Sequence, residues 1–321
     1  MNEFELIQHF FTRSACAQGG ENIPLGIGDD CALLQIPTGH YCAVSTDSLV
    51  SGVHFPKDSP PFLLGQRVLA VAVSDLAAMG AKPLGFTLAI TLEQIDTPWL
   101  QAFSEGLSAM AQHCAIALIG GDTTRGPLAM TVTVMGAVPT HHSLLRSGAQ
   151  VGDLLCVSGP LGAAAAALPF VLGQVAADTV PAEAQQQLLA AYWTPQPQLE
   201  LGRWLLGKAS AALDISDGLL ADCGHIAKAS KVALQIEQAR VPIAAAVLRA
   251  VGDADALQCA LSGGDDYQLA FTIAASYLEA LQQRFTAVQV IGRVSAGQGV
   301  QLLDSAGQSI QCAHLGYQHF Q

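Results

Sequence analysis

Gly26-Ile27-Gly28-Asp29-Asp30 decides how the rest of the chain is read, because two glycines followed by two carboxylates suit neither a helix nor a strand and do suit an ion. Glycine lets backbone N–H groups approach an anion closely, and aspartate offers hard oxygen ligands to a divalent cation. The composition recurs at Ile119-Gly120-Gly121-Asp122-Thr123-Thr124, Asp214-Ile215-Ser216-Asp217-Gly218 and Ser262-Gly263-Gly264-Asp265-Asp266, each attached to an apolar run that reads as a strand. A single Gly-Asp turn merely ends a strand. Four in one chain point to a metal-bound polyphosphate.

At 321 residues the chain exceeds one ordinary core, so two domains are expected. Hydrophobic residues make up 51% and aromatics only 6%, a small-side-chain composition that fits a packed α/β protein and leaves no disordered segment expected. The net charge of −12 argues against nucleic acid or an anionic membrane as partner, since both need a basic face. An anionic substrate would then need cations held by the aspartates, although solubility alone also explains an acidic balance. The eight cysteines form no CxxC pair and several lie in apolar runs, so they read as buried reduced thiols. The acidic start Met1-Asn2-Glu3-Phe4-Glu5 lacks the pattern of a signal peptide, and Pro169, Gly173 and Gln174 interrupt the apolar tract from Leu161 to Ala177. The expected location is the cytoplasm.

Glu3 to Arg13 has the apolar spacing of a helix ended by Gly19-Gly20. Cys31 to Ile36 and Tyr41 to Val44 read as strands joined by Pro37-Thr38-Gly39, with Ser45-Thr46-Asp47-Ser48 at the exit of the second. Pro60 to Ala81 is a long apolar helix that carries Asp75 with no basic residue three or four positions away. A carboxylate there needs a partner from elsewhere, either a metal or an Arg of another segment. Strand Pro83 to Leu92, helix Trp99 to His113, strand Ala115 to Ile119 and strand Leu128 to Val138 complete a first domain, residues 1–150. In residues 151–321, strands are expected at Leu154 to Val157, Ala211 to Ile215, Val232 to Ile236 and Tyr267 to Ile273, followed by a helix and strand pattern to Val294. Helices are expected from Leu161, over Ala182 to Trp193, over Gln198 to Leu206 and over Gly218 to Ser230, and the tail ends in Gly316-Tyr317-Gln318-His319-Phe320. The fold class is α/β, of the α+β type.

Gly202-Arg203-Trp204-Leu205-Leu206-Gly207-Lys208-Ala209 has P-loop spacing, yet Ala209 replaces the Mg²⁺-binding hydroxyl and a helix leads in where a strand should; Gly207 reads as a helix C-cap. Cys31 stands where the third glycine of a dinucleotide fingerprint would be. The histidines offer no HExxH and no close Cys/His set, and no GxSxG elbow is present. What remains is Asp30, Asp47, Asp75, Asp122, Asp214 and Asp217, with hydroxyls at Ser45, Thr46 and Ser216. Six carboxylates over both halves can hold two or more Mg²⁺ ions bridging phosphate oxygens, which is the chemistry of phosphoryl transfer. A phosphate-monoester acceptor, with a second pKa of about 6, is already anionic and needs no general base.

Six stretches, Gly26-Ile27-Gly28-Asp29-Asp30-Cys31-Ala32, Ser45-Thr46-Asp47, Ser74-Asp75-Leu76-Ala77-Ala78-Met79-Gly80-Ala81, Gly120 to Gly126, Asp214 to Leu219 and Ser262 to Tyr267, resemble the thiamine-monophosphate kinase family in order and spacing, over essentially the whole chain. The resemblance implies the two-domain aminoimidazole-ribonucleotide-synthetase-like fold, with an N-terminal domain that binds ATP and Mg²⁺ and dimerises through its strands, and a site in the cleft beside the C-terminal domain. It implies direct phosphorylation of thiamine monophosphate by ATP, with no phosphoenzyme. By motif, Asp30, Ser45, Thr46, Asp47, Asp75, Asp122, Asp214 and Asp217 would be Mg²⁺ ligands, with Asp30, Asp47, Asp122 and Asp217 closest to the chemistry. Gly121, Asp122, Arg146 and Ser216 would contact ATP, and His54, Asp265 and Tyr317 would face thiamine monophosphate. The chain departs from the family at Asp265, where the pattern has Glu. Two other functions share these ligands: another ATP-using synthetase of the superfamily, and a noncatalytic metal or nucleotide sensor.

Overall fold

The computed structural model describes residues 2–176, 179–312 and 316–317; Gln318, His319 and Phe320 of the tail, and Ala177 of the apolar tract, lie outside them. The chain forms two compact units, one of Met1–Leu76 with Ala81–His141 and a second of Ala77–Gly80 with His142–Gln321. The first contains α1 (Glu3–Leu6), β1 (His40–Val50), most of α2 (Pro61–Ala78), β2 (Lys82–Leu92), α3 (Thr97–His113), β3 (Ala117–Arg125) and β4 (Ala129–Pro139). The second contains β5 (Leu154–Val157), α4 (Ala163–Val171), α5 (Ala182–Trp193), α6 (Leu199–Leu205), β6 (Ala209–Asp214), α7 (Leu219–Ser230), β7 (Ala233–Glu237), α8 (Ala245–Ser262), β8 (Leu269–Ile273), α9 (Leu278–Arg284), β9 (Gln289–Ser295), β10 (Gly299–Leu303) and β11 (Ser309–Ile310).

The first unit is a four-stranded sheet in the order β1-β4-β2-β3, antiparallel except for the β2/β3 pair, which α3 connects as a crossover. Strand β4 alternates buried Met130, Val132 and Val134 with half-buried Thr131, Thr133 and Met135, so one face is core and the other is rich in hydroxyls. Helix α2 lies on the core face, where Leu76 packs at Gly136 and Asp75 accepts a hydrogen bond from Ser45 Oγ. From Val68 to Ala78 that helix is buried on every side except at Asp75, and its apolar length is explained by burial inside the fold. Asp96 caps α3 by accepting from Trp99 N–H at 3.1 Å.

The second unit is a seven-stranded sheet in the order β11-β10-β7-β9-β5-β8-β6, with β7 and β10 parallel and the other neighbours antiparallel. Both faces are covered. Leu155, Val157, Ala211 and Leu213 point into a core shared with α7 and α8, while Cys156, Ala212, Phe271 and Ile273 point into another shared with α6 and α9.

Several expectations need correction. The N-terminal helix ends at Thr12, having widened into a π-helix from Ile7, well before Gly19-Gly20. Cys31 to Ile36 is not a strand: Leu33 N–H bonds to Leu25 O and Gln35 N–H to Asn22 O, so the segment folds back on residues 22–25 as a loop. Strand β1 does not stop before Ser45 but runs on to Val50, because β4 pairs with it throughout. Gly120 to Arg125 is likewise strand and not turn, since β2 pairs with it to Arg125. Helix α8 was not expected, because Gly252, at φ +75°, breaks its period into two halves. Cysteines are free as expected, but Cys31 and Cys42 are exposed. Gly207, at φ +70°, does follow the end of α6 and lead into β6.

Helices α2 and α3 touch backbone to backbone at two glycines. A Cβ on Gly106 would lie 1.9 Å from Phe62 O, and one on Gly65 2.2 Å from Phe103 O. Gly106→Ala must push the helices apart, and it is expected to destabilise the protein by about 1–3 kcal/mol; the urea midpoint reads this, and an unchanged midpoint would contradict the close approach.

Candidate active site

Strand alternation sorts the polar string of β1. Ser45 and Asp47 face α2, whereas Thr46 and Ser48 face the hydroxyl-rich side, where Thr46 Oγ1 bonds Thr133 Oγ1 at 2.9 Å and Ser48 Oγ bonds Thr131 Oγ1 at 2.7 Å. Asp75 therefore finds its partner in Ser45 Oγ, with Asp47 beside it, and not in an Arg. The Asp47 carboxyl is pushed up to about 6, chiefly by burial and then by the charge of Asp75. Its Oδ2 is buried and accepts no hydrogen bond. Two neighbouring carboxylates, one with an orphaned oxygen, are a poor structural element and a fitting donor set for a hard divalent cation.

Register fixes the other sheet residues. Asp47, Val132, Leu88 and Gly121 form one row across the sheet, and Ser48, Thr131, Ala89 and Asp122 form the next. Asp122 is thus exposed on the face opposite Asp47, and the structure does not bring it to the Asp47/Asp75 pair. Gly121 stands at φ +155°, and a Cβ there would lie 1.9 Å from Leu88 O, so the position admits only glycine. Asp30 is exposed in the loop after Gly28, its N–H bonded to Asp29 Oδ1 at 2.9 Å. His54 follows β1 in a turn, and its Nδ1 accepts from Val50 N–H at 3.0 Å, which leaves the proton of the neutral ring on Nε2. Among the described residues, no three His, Cys, Asp or Glu side chains are gathered into a ready metal site.

In the second unit the site is a matter of backbone. Asp214 is buried at the end of β6, and the loop Ile215–Gly218 carries Ser216 and Asp217 into α7. The N–H groups of Ser216, Asp217 and Gly218 all donate to Asp222 Oδ2, at 3.0, 3.0 and 3.1 Å. The carbonyls of Ile215, Ser216 and Asp217 accept from Tyr267, Asp265 and Tyr317 N–H, at 2.8, 2.8 and 3.0 Å. Thus Asp265 and Tyr317 are brought to the Asp217 loop by hydrogen bonds along its length. Asp265 and Tyr267 both have positive φ, +69° and +50°, and Tyr267 Oη donates to Asp265 Oδ1 at 2.9 Å. Asp266 turns the other way and caps α4, both its oxygens 2.9 Å from Gly162 N. Burial raises its carboxyl to about 8 against the pull of that N–H, with the Asp265 charge adding to the rise. Arg146 is exposed, its carbonyl accepting from Ser230 Oγ at 3.1 Å.

Asp222 was missed in the sequence, and Asp266 and Tyr267, though part of the Ser262 to Tyr267 stretch, were given no role there. A signal for Asp222 existed: it is the acidic residue on the buried side of α7, among Leu219, Leu220, Cys223 and Ile226.

Residues 28–138 match the model of the AIR synthase related protein N-terminal domain, and residues 150–305 that of its C-terminal domain. Fold and site therefore define a member of the AIR synthase related proteins. The thiamine-monophosphate kinase of Salmonella typhimurium is 42% identical over 325 residues, covering 99% of this chain and 98% of the relative. The crystal structure of the thiamine-monophosphate kinase from Stenotrophomonas maltophilia superposes with a TM-score of 0.86 at 43% identity, over 97% of this chain and 98% of that one. The AaThiL complex with AMPPCP and TMP superposes with a TM-score of 0.79 at 28% identity, over 92% of each chain. The chain belongs to the thiamine-monophosphate kinase family, and so to the phosphotransferases whose acceptor is itself a phosphate group.

The raised Asp47 carboxyl gives a stability prediction. It holds its proton to higher pH in the folded protein than in the unfolded chain, so its contribution is favourable below the unfolded value and is lost as pH rises through about 6. In chelator, Asp47→Asn is expected to stabilise the protein by about 2 kcal/mol near pH 8 and by about nothing near pH 4. Urea unfolding at the two pH values reads the difference, and a destabilised variant near pH 8 would contradict the strained pair.

Proposed function

We propose that the chain transfers the γ-phosphoryl group of ATP directly to the phosphate of thiamine monophosphate, giving thiamine diphosphate and ADP. The observation that carries the reading is that a chain this similar to thiamine-monophosphate kinases holds Asp47 and Asp75 side by side with a buried, unpartnered oxygen. Ser45, Asp47 and Asp75 would hold Mg²⁺ through their side chains, and Thr46 through its backbone, since its hydroxyl is engaged by Thr133. Asp30, Asp214 and Asp217 would supply further ligands, and Asp122, on the sheet face opposite Asp47, would serve an ion apart from the Asp47/Asp75 pair. Bound Mg²⁺ supplies positive charge that screens the phosphate oxygens as two anions approach.

The chain's own work is positioning. The acceptor phosphate, with a second pKa of about 6, is ionised at neutral pH, so no side chain needs to remove a proton. Gly121, Asp122, Arg146 and Ser216 meet the nucleotide, Arg146 with a fixed positive charge and Ser216 with its hydroxyl, its N–H being committed to Asp222. His54, Asp265 and Tyr317 meet thiamine monophosphate. The Asp265 carboxylate, oriented by the Tyr267 hydroxyl, offers negative charge to the thiazolium ring.

ADP release is expected to require both Mg²⁺ and thiamine monophosphate, to be nearly abolished by Asp47→Asn or Asp122→Asn, and to show about a tenfold higher KM for thiamine monophosphate, with KM for ATP unmoved, in Asp265→Ala. ADP release independent of thiamine monophosphate would sink the assignment.

The working form is a homodimer in the cytoplasm. The free state of the eight cysteines suits a reducing compartment, and the 11-residue strand β1 leaves an open sheet edge that a second copy would cover. Sedimentation at micromolar concentration is expected to give twice the chain mass; a monomer would count against it.

A further inference from the structure

We infer that Asp222 is the positioning residue of the nucleotide loop: its one buried oxygen holds the three successive N–H groups that fix where Ser216 and Asp217 present their side chains. The inference rests on the proposed roles of those two residues. Six consecutive backbone bonds define the loop, three N–H groups to Asp222 and three carbonyls to Asp265, Tyr267 and Tyr317. With its backbone so committed, the loop has only side chains to offer a ligand. Neighbouring chain leaves little room for another arrangement, because a Cβ on Gly218 would lie 2.8 Å from the Ser262 carbonyl carbon and one on Gly264 2.5 Å from Ser216 O.

Asp222 itself is buried, at 4% exposure, and so cannot reach a ligand across the loop it holds. Burying a carboxylate is unfavourable unless donors converge on it, and here the donors are the loop N–H groups themselves, near the N-terminus of α7, where negative charge is favoured. The same contacts that stabilise Asp222 therefore order the loop. They also occupy the N–H groups that would otherwise cradle a phosphate, so an anion reaching this loop must be met through Asp217, Asp214 and a cation.

The test uses the full-length protein. Without ligand, amide hydrogen exchange at residues 216–218 is expected to accelerate at least about tenfold in Asp222→Ala, with α7 and β6 otherwise protected as in the wild type. Calorimetric affinity for Mg²⁺ with a non-hydrolysable ATP analogue is expected to fall about tenfold or more, and Asp222→Asn, which keeps an acceptor oxygen, should fall between wild type and Ala in both measurements. Loop amides that stay protected in the Ala variant would overturn the inference. So would accelerated exchange with unchanged affinity, or loss of protection throughout the second unit in both variants. If the wild type releases no ADP with thiamine monophosphate, the proposed activity fails, while the ligand-free exchange still reports whether Asp222 orders the loop.

Discussion

The candidate site of the first unit depends on one unfavourable contact, the placing of Asp47 and Asp75 side by side where neither has a basic partner of its own helix or strand. Burial and like charge together raise the Asp47 carboxyl to about 6, and its unpartnered oxygen gains nothing from the fold. Such an arrangement persists because the surroundings leave no alternative. Strand β1 is paired with β4 over its full length, α2 is buried on nearly every side, and the alternation of β1 then delivers Ser45 and Asp47 to the same face as Asp75. Stability is given up at this point for a place where positive charge is welcome.

The second unit treats charge in the opposite way. Asp222 and Asp266 are raised to about 6 and about 8 by burial, yet each is met by backbone N–H groups at the start of a helix, α7 and α4 respectively. A helix N-terminus is a natural phosphate seat, and in the second unit those of α7 and α4 are filled by the protein's own carboxylates. That distinguishes the site from a P-loop, which leaves its N–H groups open, and it gives the acidic composition of the chain a physical purpose.

How much of this was legible in the sequence follows from the range of the interactions. Apolar periodicity was enough for α2, α3, α5, α7 and β2, because burial of one face is a local pattern. The Gly/Asp stretches marked the polar loops, although Gly120 to Thr124 lies within a strand, where the pairing of β3 with β2 overrides the turn preference of Gly and Asp, just as the pairing of β1 with β4 carries that strand through Ser45 to Ser48. Ser45-Thr46-Asp47 reads as one cluster on paper, and only strand geometry separates Thr46 from its neighbours. Asp122 shares its composition with Asp47, and only sheet register puts it on the other face. What Asp222 and Asp266 hold escaped because their partners are backbone groups, which carry no side-chain signature. Asp265 and Tyr317 come together with the Asp217 loop through main-chain bonds that no spacing in the sequence announces.

The strained pair can be read directly by following the Asp47 side-chain carboxyl by carbon-detected NMR through a pH titration, first in chelator and then with Mg²⁺ and a non-hydrolysable ATP analogue. The account predicts an apparent pKa of about 6 without metal and a clear fall when the cation binds. A midpoint in the ordinary carboxylate range without metal, or one that Mg²⁺ and nucleotide leave unmoved, would contradict it.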